Sequence, residues 1–505
     1  MSNRPACSEP ALAALSSPSA PEASSAATPA GIPFGDPIPQ RTDVAIVGGG
    51  FSGLCTAIGI LERDANATVA VFERRPRSAP GVAYGGCEPV QLLNVRADRM
   101  GADANDPTAF SRWLALRHPG RFAADDFVPR SLYGHYLNEV IARGIAPHRS
   151  RLALVRASVE GLASTDEAGA RLQVRAADGR QRLVEAGAVV LALGLPSTPP
   201  AWPGDALEDS LRDPWAADAY DGIDPNDPVV IIGTGLTALD VLVSLASREH
   251  HGSVTFVSRN GRFPLPHSEP RHGIPPLTLP SEDLRSPRTA LRAVRRLAAR
   301  CLEEGRPWQD AVDAVRPHTT ATWQRWSDGD RASFLRHLRP QWEVHRHRAP
   351  MSVLRILHDR VAAGQVRVLR GTIERLSRPL AHGAPHVRAS VMVAQPDGTS
   401  RRVDATRVFH CIGPAMRVDQ SHDPLMRALL TDGAVSTDAA ALGLSTDGQG
   451  RARRADGSYD RRLFVLGAMR RGELWESTAV PELRLQVATV ANEVARSVAA
   501  RPSFR

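Results

Sequence analysis

The sequence contains no lysine, so all 62 of its basic residues are arginines. A chain without lysine cannot form a lysine Schiff base and cannot supply the lysine of a P-loop, which excludes both chemistries. The formal net charge of +8 suits an anionic partner. Because the arginines are spread along the chain without a compact basic run, we expect anionic small molecules and no nucleic acid as partners.

Cysteines and long apolar runs are also scarce. The five cysteines have no Cys-x-x-Cys spacing, which predicts no zinc site, no redox-active disulfide and a reducing compartment. No apolar run approaches the roughly 20 residues of a membrane helix, and no charged-then-apolar segment opens the chain. The sequence therefore predicts a cytoplasmic protein without a membrane partner.

The most informative stretch runs from residue 43 to residue 73. A short apolar run at 44–47 predicts a buried strand, and three glycines follow it at Gly-x-Gly-x-x-Gly spacing. An apolar helical pattern comes next, and a second strand then ends at Glu73. This order of strand, glycine turn, helix, strand and acid is the dinucleotide-binding βαβ fingerprint.

Each fingerprint residue has a physical task. Gly48 permits the tight turn, Gly50 lets the backbone approach a pyrophosphate, and Gly53 lets helix and strand pack closely. The helix start at Ser52 offers free N–H groups and a positive dipole end to phosphates. Glu73 can accept hydrogen bonds from a ribose diol, so this unit is predicted to bind a dinucleotide. As one of two such units in the chain, it is predicted to hold FAD.

A second fingerprint lies at 229–240, with Gly233, Gly235 and Ala238 at the same spacing. The strand that follows ends at Arg259, where the first unit has an acid. A cation at the end of this strand can bind the 2′-phosphate on the ribose of NADPH, whereas a carboxylate would repel that phosphate. The second unit is therefore predicted to bind NADH or NADPH as a co-substrate, and Arg259 favours NADPH.

Two such units predict an α/β protein with two Rossmann-like dinucleotide-binding domains, in which the NAD(P)H domain interrupts the FAD domain. The predicted segments are a disordered Ala/Ser/Pro-rich tail at 1–40, the first part of the FAD domain at 41–225, the NAD(P)H domain at 226–400 with a helical insertion at about 262–350, and a return segment with a C-terminal helix at 401–505.

Three more residues are predicted to contact FAD. Asn94 lies in an apolar patch after a Gly/Pro segment, which suits a loop over a cofactor or a surface loop with a buried anchor. Gly467 ends a late strand, and Thr478 is a candidate cap for a long helix beginning at Pro481. The positive end of that helix suits a reduced flavin, or the helix serves only for packing.

His345, His347 and Arg348 stand close together in the sequence and are the candidate substrate-binding residues. They suit a planar anion or the edge of a flavin, and they equally suit a solvated surface. A metal site is not predicted, because the two histidines have no cysteine or acid at ligand spacing.

Five stretches carry a resemblance to a known family: DVAIVGGGFSGL, QLLNVRADRM, VVIIGTGLTALD, HRHRAP and GELWESTAVPELR. With these motifs, which span most of residues 43–487, the chain resembles the FAD/NAD(P)-binding flavin monooxygenases that include an FAD-dependent urate hydroxylase and an aspartate N-monooxygenase. It departs from many relatives in having Gly467–Ala468 where they carry Gly-Asp. The resemblance implies bound FAD, reduction by NAD(P)H and dioxygen activation as a flavin 4a-hydroperoxide.

The resemblance is closest to the urate hydroxylase, which implies conversion of urate to 5-hydroxyisourate in urate degradation, with Arg348 and His347 holding the urate anion. The alternative is N-hydroxylation of an aspartate-like amino acid, which needs a carboxylate-binding arginine and an amine pocket. A flavin-binding sensor without turnover and a simple NAD(P)H oxidase or reductase are further alternatives. Oligomeric state is not predicted.

Overall fold

The structure is a computed structural model that describes residues 31–77, 81–165, 169–194, 202, 210–270, 275–379, 387–413 and 417–499. Of the tail predicted at 1–40, residues 1–30 lie outside the described part. Residues 31–40 pack onto the first domain, because Phe34 is buried beside Gly49 and Asp36 forms an ion pair with Arg149. Residues 31–40 thus belong to the first domain and not to a tail as predicted.

A seven-stranded sheet carries the first fingerprint. Its strands, numbered in chain order through the whole protein, are β1 (Arg41–Val47), β2 (Val69–Glu73), β3 (Leu152–Thr165), β4 (Ala170–Ala176), β5 (Gln181–Leu191), β14 (Arg451–Arg453) and β15 (Tyr459–Val465). β1 lies parallel between β2 and β5, and β15 adds in parallel to the other side of β5. Alternation along β1 buries Val44 and Ile46 on one face and Ala45 and Val47 on the other.

Helices cover both faces of this sheet. One face is covered by α1 (Phe51–Arg63), α4 (Arg130–Ile145) and α14 (Val480–Ala499), and the other by α12 (Pro424–Thr431). The shorter helices α2 (Val82–Gly85), α3 (Ala109–Arg117) and α13 (Arg471–Leu474) lie outside this layer. Helices α1 and α14 share one face, where Ile60 packs in a cluster with Val490 and Val494. The C-terminal helix is therefore part of the fingerprint domain.

A five-stranded parallel sheet carries the second fingerprint, in the order β6-β13-β7-β8-β9. These strands are β6 (Leu211–Arg212), β7 (Val229–Ile232), β8 (Val254–Ser258), β9 (Val366–Arg370) and β13 (Arg407–His410). Two helices, α5 (Leu236–Ser247) and α11 (Met351–Ala362), cover one face. A small antiparallel sheet covers the other with β10 (Thr372–Ser377), β11 (Ala389–Ala394) and β12 (Ser400–Ala405).

Between β8 and β9 the chain forms a helical insertion of α6 (Pro287–Glu303), α7 (Gln309–Asp313), α8 (Thr319–Arg325), α9 (Asp328–Ser333) and α10 (Arg339–Arg346), with a π-helical turn at Phe334–Leu338. Ser286 caps α6 through the N–H of Thr289, and Pro287 occupies the first helical position. Short 3₁₀ turns complete the chain at Ala97–Arg99, Ala146–His148, Ser281–Leu284, Arg316–His318, Val418–Gln420 and Gly467–Arg470.

The predicted fold class, two dinucleotide-binding domains with one interrupting the other and a helical insertion, is confirmed. A second predicted boundary also differs. The return to the first domain was predicted to begin at residue 401, but β13 pairs with β7 of the second sheet through Arg407 and Val229. The return therefore comes after residue 413, because β13 is a central strand of the second sheet.

Buried polar contacts join the two domains. Arg130 on α4 pairs with Asp240 on α5 at 3.2 Å, and both side chains are about nine-tenths buried. Beside this pair, the Gln91 Nε2–H donates to the Ser244 hydroxyl at 3.1 Å. Among the helices described, none combines the length and apolar character needed to span a lipid bilayer.

Candidate cofactor and substrate site

The first glycine turn has the geometry that its sequence predicts. Gly48 has a φ of 111°, and a Cβ there would lie 2.2 Å from the carbonyl oxygen of Ala192. A Cβ on Gly53 would lie 1.9 Å from the carbonyl oxygen of Gly48, so both positions require glycine for the fold itself. Gly50 differs, since no heavy atom lies within 4 Å of the place a Cβ would take. This open space at the start of α1 fits a phosphate group.

Glu73 is buried at the end of β2. Its carboxylate accepts hydrogen bonds from the N–H of Gly49 at 3.0 Å and from the backbone N–H and Nε–H of Arg75 at 3.1 and 3.0 Å. Arg75 occupies both acceptor positions of Oε1 and Gly49 occupies one of Oε2, so about one of the four acceptor positions of the carboxylate, on Oε2, remains for a ribose hydroxyl. The residues present therefore fit an FAD whose pyrophosphate lies at Gly50 and whose ribose meets Glu73.

The second turn repeats the first. Gly233 has a φ of 116°, and its Cβ would lie 2.3 Å from the carbonyl oxygen of Cys411, whereas nothing lies within 4 Å at Gly235. Ala238 is buried in α5. Arg259 is exposed just after β8. This arrangement fits a second dinucleotide, with Arg259 at the end of the strand where a 2′-phosphate would come.

Two predicted FAD residues meet beside the first turn. Gly467 has a φ of 79°, and its Cβ would lie 3.9 Å from the Ser52 hydroxyl oxygen. The Gly467 N–H donates to the side-chain oxygen of Gln486 on α14 at 3.0 Å. The late turn and the N-terminus of α1 therefore form one surface, although they come from opposite ends of the chain.

A cleft of about 620 Å³ lies between the first domain and the helical insertion. Four predicted site residues line it: Asn94, His347, Arg348 and Thr478. The predicted capping role of Thr478 is wrong. The helix begins at Val480, and the carbonyl of Ala479 accepts its first hydrogen bonds. Thr478 is instead an exposed residue of the cleft wall.

Arg348 is buried in the cleft wall, with 5% of its surface exposed. Its Nη2–H donates to both carboxylate oxygens of Asp313, at 2.6 and 2.9 Å. Its Nε and Nη1 are buried and have no hydrogen-bond partner among the described residues. Burial lowers the pKa of Arg348, with Asp313 opposing the shift. An arginine pKa starts so high that the side chain stays charged.

His347 lines the same cleft, whereas His345 does not and lines a separate cavity. Desolvation by the surrounding protein, together with the charge of Arg346, lowers the pKa of His347 to about 4. The imidazole is therefore neutral at pH 7 and can both donate and accept a hydrogen bond. The Nδ1 of His345 lies 2.8 Å from the carbonyl oxygen of Gln341. The structure thus separates two histidines that the sequence places side by side.

Two residues of the cleft were not predicted from the sequence. Ser477 is 1% exposed, and its hydroxyl has no partner among the described residues. Glu482 accepts a hydrogen bond from Arg316 on Oε1 at 3.0 Å, while its buried Oε2 has no partner in the described part of the chain. The available signal was an acid in the first turn of α14, inside the stretch GELWESTAVPELR.

Within the described residues, no group of three or more histidine, cysteine, aspartate or glutamate side chains could hold a metal ion. The cleft is instead lined by arginine–carboxylate pairs, among them Arg346 with Glu476 at 2.8 Å and Arg306 with Asp310 at 2.8 Å. Arg348 and Glu482 also belong to such pairs, with Asp313 and Arg316, and each keeps polar atoms without a partner among the described residues.

Comparison with known proteins identifies the domain type. A family model described as FAD-NAD(P)-binding matches residues 45–196. A search of curated proteins found no significant match.

Three solved structures share the fold along almost their whole length. An ornithine N-hydroxylase from Kutzneria sp. 744 has a TM-score of 0.63 and 17% identity, covering 90% of this chain and 99% of that one. A cadaverine monooxygenase from Erwinia amylovora has a TM-score of 0.60 and 13% identity, covering 92% and 98%. An L-lysine 6-monooxygenase from Pseudomonas syringae has a TM-score of 0.59 and 14% identity, covering 90% and 99%.

Structural similarity at identities this low establishes the fold. The reaction has to be inferred from the residues of the site. The match over residues 45–196 includes the first glycine turn and Glu73, the residues that fit FAD above. The match to an FAD-NAD(P)-binding family model confirms the predicted cofactors, FAD and NAD(P)H. The chain therefore has the α/β fold of FAD- and NAD(P)-binding flavoprotein monooxygenases.

Proposed function

We propose that the protein is an FAD-dependent monooxygenase that uses NAD(P)H and dioxygen to hydroxylate the nitrogen of a small amino acid or related amine. The two fingerprints supply a place for each cofactor, and the sequence has no Cys-x-x-Cys pair to carry electrons to a disulfide. The three similar structures are described as acting on ornithine, cadaverine and lysine, which are amines. This similarity supports an amine substrate over urate, the substrate predicted from the sequence.

The observation that carries the proposal is a pair of unsatisfied, oppositely charged groups in one cleft. Glu482 Oε2 is a buried acceptor, and Arg348 Nε and Nη1 are buried donors, all without partners among the described residues. Buried polar groups are normally hydrogen-bonded, so these two groups in the cleft wall are the candidates for contact with a ligand. The ammonium and carboxylate of an amino acid match them, at about 1.5–3 kcal/mol for each charged hydrogen bond.

The residues of the cleft have distinct tasks in this reaction. Reduced FAD, when bound, supplies the activated oxygen. Arg348 anchors the substrate carboxylate, and Glu482 binds the ammonium and accepts its proton, which frees the nitrogen lone pair. Overall, the amine, dioxygen, NAD(P)H and a proton give the hydroxylamine, NAD(P)⁺ and water. The neutral His347 and the Ser477 hydroxyl are further hydrogen-bonding groups in the wall.

Urate remains the second candidate, because the Nε and Nη1 donors of the buried Arg348, which have no partner among the described residues, also suit a planar monoanion. The carboxylate of Glu482 disfavours urate, because a carboxylate repels a neighbouring anion and Arg316 bonds only its Oε1. The two candidates therefore differ in what they require of Glu482.

The test is product formation by the purified, FAD-loaded protein. With NADPH and oxygen, we expect an amine such as L-aspartate, L-ornithine or L-tryptophan to stimulate NADPH oxidation and to yield its hydroxylamine, while urate is not consumed. Consumption of urate would establish the urate reading. NADPH oxidation that no amine stimulates would overturn the proposal and indicate an oxidase or reductase, and absence of turnover with FAD bound would indicate a sensor.

Arg259 provides a prediction for the co-substrate. We expect Arg259→Ala to raise the KM for NADPH by at least about tenfold, because a charged hydrogen bond to the 2′-phosphate contributes about 1.5–3 kcal/mol. NADH lacks this phosphate, so its KM in the same variant is the internal control. Equal changes in KM for NADPH and NADH would show that Arg259 does not bind the 2′-phosphate.

A further inference from the structure

A second cavity, of about 570 Å³, lies within the helical insertion. We call it the tryptophan pocket, because its walls include Trp308, Trp323, Trp326, Trp342, Phe334 and Trp475. The volume is that of a small-molecule site, and apolar walls with few polar groups are typical of such sites. Neither cofactor fingerprint borders this pocket.

The pocket is preformed. Trp323 stacks on Trp475 with ring centroids 4.8 Å apart and an interplanar angle of 28°. The Trp323 indole N–H donates to the carbonyl of Gly472 at 2.7 Å, and that of Trp326 donates to the carbonyl of Leu284 at 2.9 Å. These bonds fix the rings around the space. An open apolar cavity of this size destabilises a fold unless a ligand fills it, because its lining loses packing contacts.

Trp475 connects the tryptophan pocket to the cleft, since it lines both. Its φ of 60° and ψ of −60° are strained for a residue other than glycine, and such strain is concentrated at functional sites. The Trp475 N–H donates to the carbonyl of Arg471 at 2.9 Å, and the Arg471 guanidinium lies 5.0 Å from its ring centroid. A costly backbone conformation thus holds one indole where the two cavities meet.

We propose that the two cavities bind one molecule, an aromatic amine, with its amine at Glu482 in the cleft and its ring in the tryptophan pocket. This rests on the proposed function and names its substrate class as aromatic amino acids or arylalkylamines. Aromatic walls favour a flat ring through stacked and edge-to-face contacts. The short charged side chains of aspartate and ornithine would lose hydration in this pocket without gaining a partner.

The experiment measures binding to the FAD-loaded protein by isothermal titration calorimetry, with L-tryptophan, tryptamine and L-ornithine as probes. We expect L-tryptophan to bind at least about tenfold more tightly than L-ornithine. Ala298→Phe, which places a ring in the pocket from α6, should remove this advantage. Ala299→Phe is the matched control, because Ala299 is the next residue, is exposed and does not line the pocket.

FAD content and melting temperature establish that each variant is folded. The comparison of tryptophan with ornithine uses the wild-type protein and does not depend on any variant. Equal binding of tryptophan and ornithine, or tryptophan binding that Ala298→Phe leaves unchanged, would overturn the pocket proposal. Hydroxylamine formation is scored separately. Tight, pocket-dependent binding of tryptophan without hydroxylamine would leave the pocket proposal standing and refute N-hydroxylation. Hydroxylation of ornithine but not of tryptophan would support N-hydroxylation and refute the pocket proposal.

Discussion

The Gly50→Ala variant should fold normally and purify without bound FAD. A Cβ at Gly50 meets no heavy atom of the described residues within 4 Å beyond its chain neighbours, and the residue has a φ of −78°, which alanine adopts without strain. The folded chain therefore tolerates the methyl group. A pyrophosphate lying against this backbone does not, because the methyl group would occupy the space that the phosphate needs. We expect FAD affinity to fall by at least about a hundredfold, measured by flavin absorbance per protein and by fluorescence titration.

The second turn offers the matched control. Gly235 has the same backbone conformation, a φ of −79°, and the same open space. Gly235→Ala should keep FAD at wild-type occupancy and slow flavin reduction by NAD(P)H at least about tenfold. FAD retained at full occupancy by Gly50→Ala, with a normal melting temperature, would show that the pyrophosphate does not approach this turn.

The Glu482→Gln variant should lose most amine hydroxylation while keeping FAD. Glutamine retains the acceptor that Arg316 uses, but it presents a neutral amide where the unpaired Oε2 stood. The lost charged hydrogen bond, about 1.5–3 kcal/mol, corresponds to a fall in kcat/KM of about 10- to 150-fold. The measurement is hydroxylamine formation against amine concentration.

Glu493→Gln is the control for this substitution. Glu493 lies on the same helix, but its carboxylate pairs with Arg451 and does not line the cleft. It should leave kcat/KM for the amine within about twofold of wild type. If both variants lose activity equally, the effect comes from the helix, and Glu482 does not bind the amine. If urate is the substrate, Glu482→Gln should not weaken its turnover.

The fold could be predicted because its signals are local. Each fingerprint needs a strand, glycines at set spacing and a helix, and all of these are adjacent in sequence, as at Gly48 and Gly233. The placement of β13 could not be predicted, because a short apolar strand ending in glycine suits either sheet. Only pairing with β7, far away in the chain, decides the sheet to which it belongs.

The candidate substrate site was harder to predict because its residues come from distant segments. Sequence proximity suggested one cluster of His345, His347 and Arg348, but the end of α10 points His345 into the tryptophan pocket and leaves the other two in the cleft. Glu482 carries no motif of its own. Its importance follows from an unpaired buried oxygen, and only the three-dimensional arrangement shows that.

The pairing of β15 with β5 has a consequence for biosynthesis. β5 ends at residue 191 and β15 begins at residue 459, so the whole second domain emerges from the ribosome between them. At a translation rate of about 5–20 residues per second, the edge of β5 that pairs with β15 stays unpaired for roughly 15–50 s. Gly467 and α14 follow later still, so the flavin surface that they share with Ser52 is incomplete on the nascent chain. We therefore expect FAD to be acquired only after translation ends, and nascent chains to depend on chaperones that shield the open edge.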